Sequence, residues 1–334
     1  MLHKIFIDGQ EGTTGLKIFD RLSARDDIEL LPIEAESRKD PASRLERMAE
    51  ADITFLCLPD EASREIVAAA DSSGKKLRII DTSTAFRTAP GWVYGLPELE
   101  PGKRADIASA VRVAGPGCHA AGFILIARPL IQMGIVGSGY QFVCHSMTGY
   151  SGGGKKMIAE YEGLRRAPRQ YGLPQGHKHL PEMQMASGAG QPIIFNPAVA
   201  DYYSGMLVTV PLHGLAGDGG STGDAGLAGG ERLGPEGLYR LFSEYYQDCP
   251  MVRPVPPSGV PGDGFLEADA FSGRDDLELL FYGSRERPVI AARFDNLGKG
   301  ASGNAVQCMN LMLGIPETKG LAAGAASGAA ARPG

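Results

Sequence analysis

Short apolar runs alternate with amphipathic stretches from Lys4 to Ile80, and few architectures accept a chain written in that order. Lys4-Ile5-Phe6-Ile7-Asp8, Ile28 to Ile33, Ile53 to Leu58 and Leu77 to Ile80 read as strands. Between them, Leu16, Phe19 and Leu22 share one side of a helical pattern, and residues 41–50 and 63–70 also read as helices. Strands that recur with a helix between them predict an α/β fold with a doubly wound parallel sheet, because a parallel crossover needs a connection of helix length. The turn after the first strand is Gly9-x-x-Gly12-x-x-Gly15. Glycines there permit a tight turn and bring the N–H groups of a helix start, including Thr13 and Thr14, close to a pyrophosphate. The spacing departs from the commoner GxGxxG, and a plain structural turn has the same composition. The strand before it and the helix after it favour nucleotide binding. At the end of the second strand two cofactors compete. Glu34 or Glu36 would accept from a ribose 2′-hydroxyl and favour NAD, whereas Ser37-Arg38-Lys39 offers a hydroxyl and two cations to the 2′-phosphate of NADP, the reading preferred here.

The pattern changes at residue 118. Ala121 to Met133 reads as a strong helix, followed by the separated strand candidates 141–144, 206–210, 277–281 and 289–294, which suit a mixed or antiparallel sheet. The chain thus divides into a first domain, 1–117, and a second α+β domain, 118–298, and 334 residues are enough for two cores. Ala301 to Leu313 returns to a helical pattern, and residues 319–334 form an Ala/Gly-rich tail expected to be disordered. A formal charge of −6 argues against nucleic acid or a membrane surface as partner and leaves a small molecule. Cysteines 57, 118, 144, 249 and 308 are scattered, odd in number and never in a CxxC pair, so neither a disulfide framework nor a cysteine-rich zinc site is expected. With no signal-peptide pattern before the first strand and no apolar run of membrane-spanning length, a reducing cytoplasm is the expected compartment.

Pro116-Gly117-Cys118-His119-Ala120-Ala121-Gly122 sets a cysteine between glycines where a loop turns into a helix. Unpaired N–H groups at a helix start, together with the helix dipole, stabilise a thiolate, which makes Cys118 the candidate nucleophile. Cys57 and Cys144 read as core residues. His177-Lys178-His179-Leu180-Pro181-Glu182 supplies two imidazoles, groups that ordinarily titrate near neutral pH and suit acid–base work. Two histidines and a carboxylate also suit zinc, but histidines at i and i+2 do not share a helix face and Pro181 limits a regular helix, so no metal is expected. Arg87 is a candidate partner for a substrate carboxylate or phosphate, with a surface ion pair as the alternative. The stretch Ser151-Gly152-Gly153-Gly154-Lys155-Lys156 offers N–H groups and cations to an anion, although a flexible loop has the same composition. Asn304, at the opening of the last helix, either meets the cofactor or belongs to the helix cap.

The order of these pieces is more specific than any one of them. Gly9 to Gly15, the Ser37-Arg38 turn, Asp81-Thr82-Ser83-Thr84-Ala85-Phe86-Arg87, Tyr94-Gly95-Leu96-Pro97-Glu98, Pro116 to Gly122, Ser151 to Gly154, His177 to Glu182 and Asp295 to Ala301 together resemble the N-acetyl-γ-glutamyl-phosphate reductases of arginine biosynthesis, in their shorter branch, up to about Thr318. Against the longer branch, Gly115 stands where Asn often precedes Pro-Gly-Cys, His119 and Ala121 replace the more usual Tyr and Thr, and Asn196-Pro197-Ala198 lacks a histidine commonly present there. The resemblance implies a Rossmann domain joined to a domain of the aspartate-semialdehyde dehydrogenase type, a C-terminal helix, about 299–316, that completes the first domain, and a homo-oligomer, dimer or tetramer. It also implies NADPH-dependent reduction of the acyl phosphate to N-acetylglutamate semialdehyde through a thioester on Cys118, with His177 as acid and base. The substrate set is then Arg87, Ser151, Gly152, His179 and Glu182, and the cofactor set Gly9, Gly12, Thr13, Thr14, Gly15, Ser37, Arg38, Pro59, Ser83 and Asn304. Two rivals remain: a semialdehyde dehydrogenase for another acyl phosphate, such as aspartyl or carrier-linked aminoadipyl phosphate, and a dinucleotide sensor without turnover, against which the pairing of Cys118 with His177 speaks.

Overall fold

The computed structural model describes residues 2–215 and 233–324. Six strands, β1 (His3–Asp8), β2 (Ile28–Leu31), β3 (Ile53–Leu56), β4 (Ile79–Asp81), β5 (Val93–Tyr94) and β6 (Arg112–Ala114), form a wholly parallel sheet in the order β2-β1-β3-β4-β6-β5. Helices α1 (Thr13–Ser23), α2 (Pro41–Glu50), α3 (Asp60–Ser72) and α4 (Lys103–Ser109) cover it. Alternation along β1 decides which helices meet which face: Ile5 and Ile7 pack with Ile18 and Leu22 of α1, while Phe6 packs with Met48 of α2 and Ile66 of α3. The strand order turns back at β1, flanked by β2 and β3, and the crevice at such a reversal is where α/β sheets take nucleotides.

The second domain opens with α5 (Cys118–Gln132), followed by β7 (Val143–Gly149), α6 (Gly154–Tyr161), β8 (Arg169–Gln170), α7 (Leu180–Ser187), β9 (Ile194–Ala200), β10 (Met206–Pro211), α8 (Pro235–Tyr245), β11 (Val252–Val255), β12 (Leu277–Gly283) and β13 (Pro288–Phe294). The seven strands order as β11-β12-β13-β10-β7-β9-β8, with β11/β12 and β7/β9 parallel and the other pairs antiparallel. α5 is apolar on nearly every side, in keeping with burial over most of its length, and Gly122 lets it close on the sheet: a Cβ there would lie 2.7 Å from the Phe294 ring. Leu280 and Ala291 on the sheet's other face are buried with Val260 and Leu266, but over β7, β9 and β10 that face is uncovered among the described residues. His145, Met147 and Ile194 stand exposed on it beside the half-buried Leu207 and Thr209.

α9 (Gly303–Leu313) returns to the first domain, where Val306, Met309 and Met312 join the core of Ile18 and Leu22. A π-helical turn, Gly298–Ser302, precedes it. The tail differs from its composition. Arg25 donates to the carbonyl of Lys319 at 3.1 Å, Leu321 packs on the first-domain core, and Asp275 and Ala322 exchange bonds of 2.8 and 2.9 Å. The expectation of disorder from residue 319 is corrected over this stretch, because backbone groups hold it where side chains have little to bury; residues 325–334 lie outside the described residues. No helix among the described residues is long and apolar enough to cross a membrane.

Candidate active site

β6 delivers the chain through Gly115 and Pro116 to Gly117, which caps α5, so Cys118 sits in the first helical turn at the junction of the two domains. It lines a cavity of about 360 Å³ shared with His119, Tyr171, His177, Lys178 and His179, and with Thr13 and Thr14 of α1. Two glycines make the crowding possible. A Cβ on Gly117 would lie 2.4 Å from His179 Nε2 and 2.6 Å from Arg87 Nη1, and one on Gly300 would lie 2.8 Å from the Cys118 Cβ. Burial pushes the Cys118 thiol up to about 11, against the opposing pull of Arg87, the His119 N–H and Lys178. Desolvation is the largest of these influences and works against the thiolate stabilisation expected from the helix start.

The imidazoles are corrected in the same sense. Burial pushes His119 down to about 3 and His177 to about 4, and holds His179 well below its ordinary value, so all three are neutral at pH 7 rather than titrating near it. Their rings form one cluster, with centroids 5.5 Å apart for His119 and His177 and 4.7 Å for His177 and His179. His177 Nδ1 accepts the His179 N–H at 3.2 Å, while the buried Nδ1 of His179 has no partner among the described residues.

Arg87 and Glu182 form a brace beneath this floor. Arg87 donates from Nε to the Gly115 carbonyl at 2.9 Å, from Nη1 to Glu182 at 2.6 Å and from Nη2 to the Thr82 carbonyl at 3.2 Å, yet it still lines the cavity. Glu182, 1% exposed, also accepts from Tyr94 at 2.7 Å and from the Gly117 N–H at 3.0 Å. It is not among the cavity's lining residues. The expected substrate contact at Glu182 is thus replaced by an internal one, since its carboxylate is taken by three protein donors. Ser151 and Gly152 do line the cavity, with Ser151 held by Asn296 at 3.0 Å.

On the nucleotide side the glycines let the loop pack closely on the neighbouring backbone. Gly9 has φ +86°, and a Cβ on it would lie 2.4 Å from the Cys57 carbonyl oxygen; one on Gly15 would lie 2.4 Å from that of Gly9. Gly12 caps α1 and Pro59 caps α3, so the starts of both helices follow directly from the ends of β1 and β3. Ser37 ends a short 3₁₀ turn and the exposed Arg38 follows, its guanidinium paired with Glu11 of the glycine loop. Two expected cofactor residues turn inward instead. Ser83 donates to Asp81 at 2.6 Å, and the fully buried Asn304 donates to the Gly95 carbonyl and accepts from Lys299 at 3.3 Å. Their neighbours Thr82 and Ala301 line the cavity in their place.

A semialdehyde dehydrogenase NAD binding domain model matches residues 4–108, and a semialdehyde dehydrogenase dimerisation domain model matches 118–296. An N-acetyl-gamma-glutamyl-phosphate reductase 2 of Nostoc sp. is 43% identical over 332 residues, covering 95% of this chain and 99% of its own. The chain belongs to the N-acetyl-gamma-glutamyl-phosphate reductase family. Another of the family, the N-acetyl-gamma-glutamyl-phosphate reductase 2 of Pseudomonas putida, is 40% identical over 95% of this chain and 98% of its own. The fold extends further than the sequence likeness: an aspartate semialdehyde dehydrogenase from Francisella tularensis superimposes with a TM-score of 0.68 at 15% identity, over 94% of this chain and all of that one.

Within this family member, Ala301, in the 301–304 stretch read as able to meet the cofactor, lines the cavity, and Thr82, Tyr171, Lys178 and Asn296 join it without having been given a role from the sequence. Lys178 stood inside the quoted His-Lys-His run and Thr82 inside the Asp81 to Arg87 run, so both were within reach. Tyr171 carried no local signal, because what brings it in is a contact with His119, 52 residues away in the chain.

Proposed function

We propose that this protein reduces N-acetyl-γ-glutamyl phosphate to N-acetylglutamate semialdehyde and phosphate through a thioester on Cys118, using NADPH. The observation that carries this reading is that, of five cysteines, Cys118 alone lines the cavity that also holds three imidazoles and the start of α1. The thiol proton passes to His177, whose long contact with the His179 N–H opens when Nδ1 takes it. The sulfur bonds to the acyl carbon, the acyl–oxygen bond breaks, and phosphate leaves with the electron pair and recovers the proton from the imidazolium. Arg87, Lys178, Ser151 and Gly152 hold the anionic ends of the substrate. Gly9, Gly12, Thr13, Thr14, Gly15, Ser37, Arg38 and Pro59 hold NADPH, which when bound supplies the hydride that reduces the thioester. In the same reading a second copy of the chain packs on the uncovered sheet face, which lies in the segment matching a dimerisation domain.

Incubation with N-acetyl-γ-glutamyl phosphate without NADPH tests the chemistry. Phosphate is released in a burst approaching one per site, and the acyl mass maps to the peptide of Cys118. Cys118→Ser loses both signals, and His177→Asn loses roughly 10²–10⁴-fold in turnover. A burst that survives Cys118→Ser, or acylation mapped to another cysteine, overturns the proposal. Phosphate-dependent reduction of NADP⁺ with aspartate semialdehyde but not with the N-acetylglutamate compound would overturn the substrate.

A further inference from the structure

His119 takes no part in the chemistry above, yet it is 2% exposed, adjoins Cys118, and has both ring nitrogens engaged: Nδ1 lies 2.7 Å from Ser146 Oγ and Nε2 2.6 Å from the Tyr171 hydroxyl. We propose that Ser146, His119 and Tyr171 form a chain of hydrogen bonds that fixes one tautomer of His119 and aims the phenolic O–H of Tyr171 into the acyl site. There Tyr171 donates to the carbonyl oxygen of the reacting acyl group. His119 is the residue that positions it.

The direction of the chain follows from what is buried. A neutral imidazole has one N–H and one lone pair, so two arrangements exist. Ser146 is 3% exposed, and among the described residues its hydroxyl has no side-chain partner except His119. If Nδ1 carried the proton, Ser146 would accept it and its own O–H would be buried without an acceptor, an arrangement proteins avoid. If Nδ1 instead accepts from Ser146, the Ser146 hydroxyl and both His119 nitrogens are satisfied. Nε2–H then donates to the Tyr171 oxygen. The phenolic proton, with no protein acceptor among the described residues, is left to the cavity that Tyr171 lines beside Cys118. The groups facing His119 preserve this state: His177 and His179 are neutral rings, and Lys178 further disfavours a charge on it. Tyr171 keeps its proton too, since burial raises its pKa and a thiolate at Cys118 would raise it further. When the sulfur adds to the acyl carbon, negative charge gathers on the carbonyl oxygen, and the Tyr171 hydrogen bond strengthens without any proton changing owner.

The inference rests on the proposed reduction for its kinetic arm and stands apart from it for its spectroscopic one. In ¹⁵N-histidine-labelled protein, His119 is expected to show a bare Nδ1 and a protonated Nε2; the opposite tautomer overturns the proposal whether or not the protein turns over. In phosphate-dependent oxidation of the semialdehyde, Tyr171→Phe should lower kcat roughly 10²-fold, the scale of one oxyanion donor, with little change in KM. Ser146→Ala should lower kcat although Ser146 does not line the cavity, Ser146→Thr should restore it, and the Ser146→Ala, Tyr171→Phe double variant should be no slower than Tyr171→Phe alone. Additive losses would reduce His119 to a packing residue and overturn the proposal. No turnover by the unaltered protein would instead count against the reductase reading, and the tautomer would still be decided.

Discussion

At the scale of single residues, the site keeps its reactive groups in uncharged forms. A thiol pushed up to about 11 is mostly protonated below that value, and its reactive thiolate fraction grows about tenfold per pH unit there. Alkylation of Cys118 by iodoacetamide in the free protein should therefore still be accelerating at pH 9.5, and a plateau near pH 7 would contradict the desolvated thiol. His119 supplies a second pH signature. Its folded pKa of about 3 lies below the ordinary 6.5, so the unfolded chain binds its proton first, and stability falls as pH drops from about 6.5 toward 3. His119→Phe should flatten part of that acid slope in denaturant titrations. The pair of Arg38 with Glu11 yields a cofactor prediction. If Arg38 receives the 2′-phosphate, Arg38→Ala should weaken NADP⁺ binding by about 1.5–3 kcal/mol and leave NAD⁺ nearly untouched, while Glu11→Gln should tighten NADP⁺. Calorimetric titration of both cofactors measures the discrimination, and equal losses would count against the assignment.

At the scale of elements, α7 places Glu182 where it joins Arg87, Tyr94 and the Gly117 N–H, so the helix locks the approach to Cys118. Glu182→Ala leaves a buried guanidinium without its counter-charge and should cost about 3–5 kcal/mol in chemical denaturation. A cost under 1 kcal/mol with a raised substrate KM would return Glu182 to the binding role. The elements legible in the sequence were those with a local device. α2 spans the predicted 41–50 because Asp40 caps the Ser43 N–H and Pro41 fits the first turn. β9 and β11 escaped because each carries a proline, which argues against a strand. The fold admits both: Pro254 lies on the edge strand β11, and Pro197 lies just before the residues of β9, Ala198 and Val199, that pair with the two-residue β8. Site residues divided the same way. Cys118 and the glycine loop announce themselves by what adjoins them in the chain, whereas the inward turn of Ser83 and Asn304 depends on Asp81 and Lys299, whose burial no local pattern records.

At the scale of the whole molecule, the uncovered sheet face and the docked tail invite separate tests. Met147→Lys and Ile194→Lys together should shift sedimentation toward the monomer with the secondary structure intact, and an unchanged oligomer would place the interface elsewhere. Removal of 325–334 should leave the melting temperature nearly unchanged, since alanine and glycine offer little burial. Removal from 319 onward should lower it by several degrees, because it takes away the bonds to Arg25, Asn310 and Asp275. Gly300 brings a further consequence through its packing on Cys118. The ribosome makes the nucleophile long before the glycine that walls it in, and α9, which fills the core beside α1, later still. Between those points the chain carries a thiol without that wall on a first domain whose core lacks Val306 and Met309. The reactive site and the nucleotide domain are completed together once residues 298–313 have emerged, and a chain terminated before them has neither.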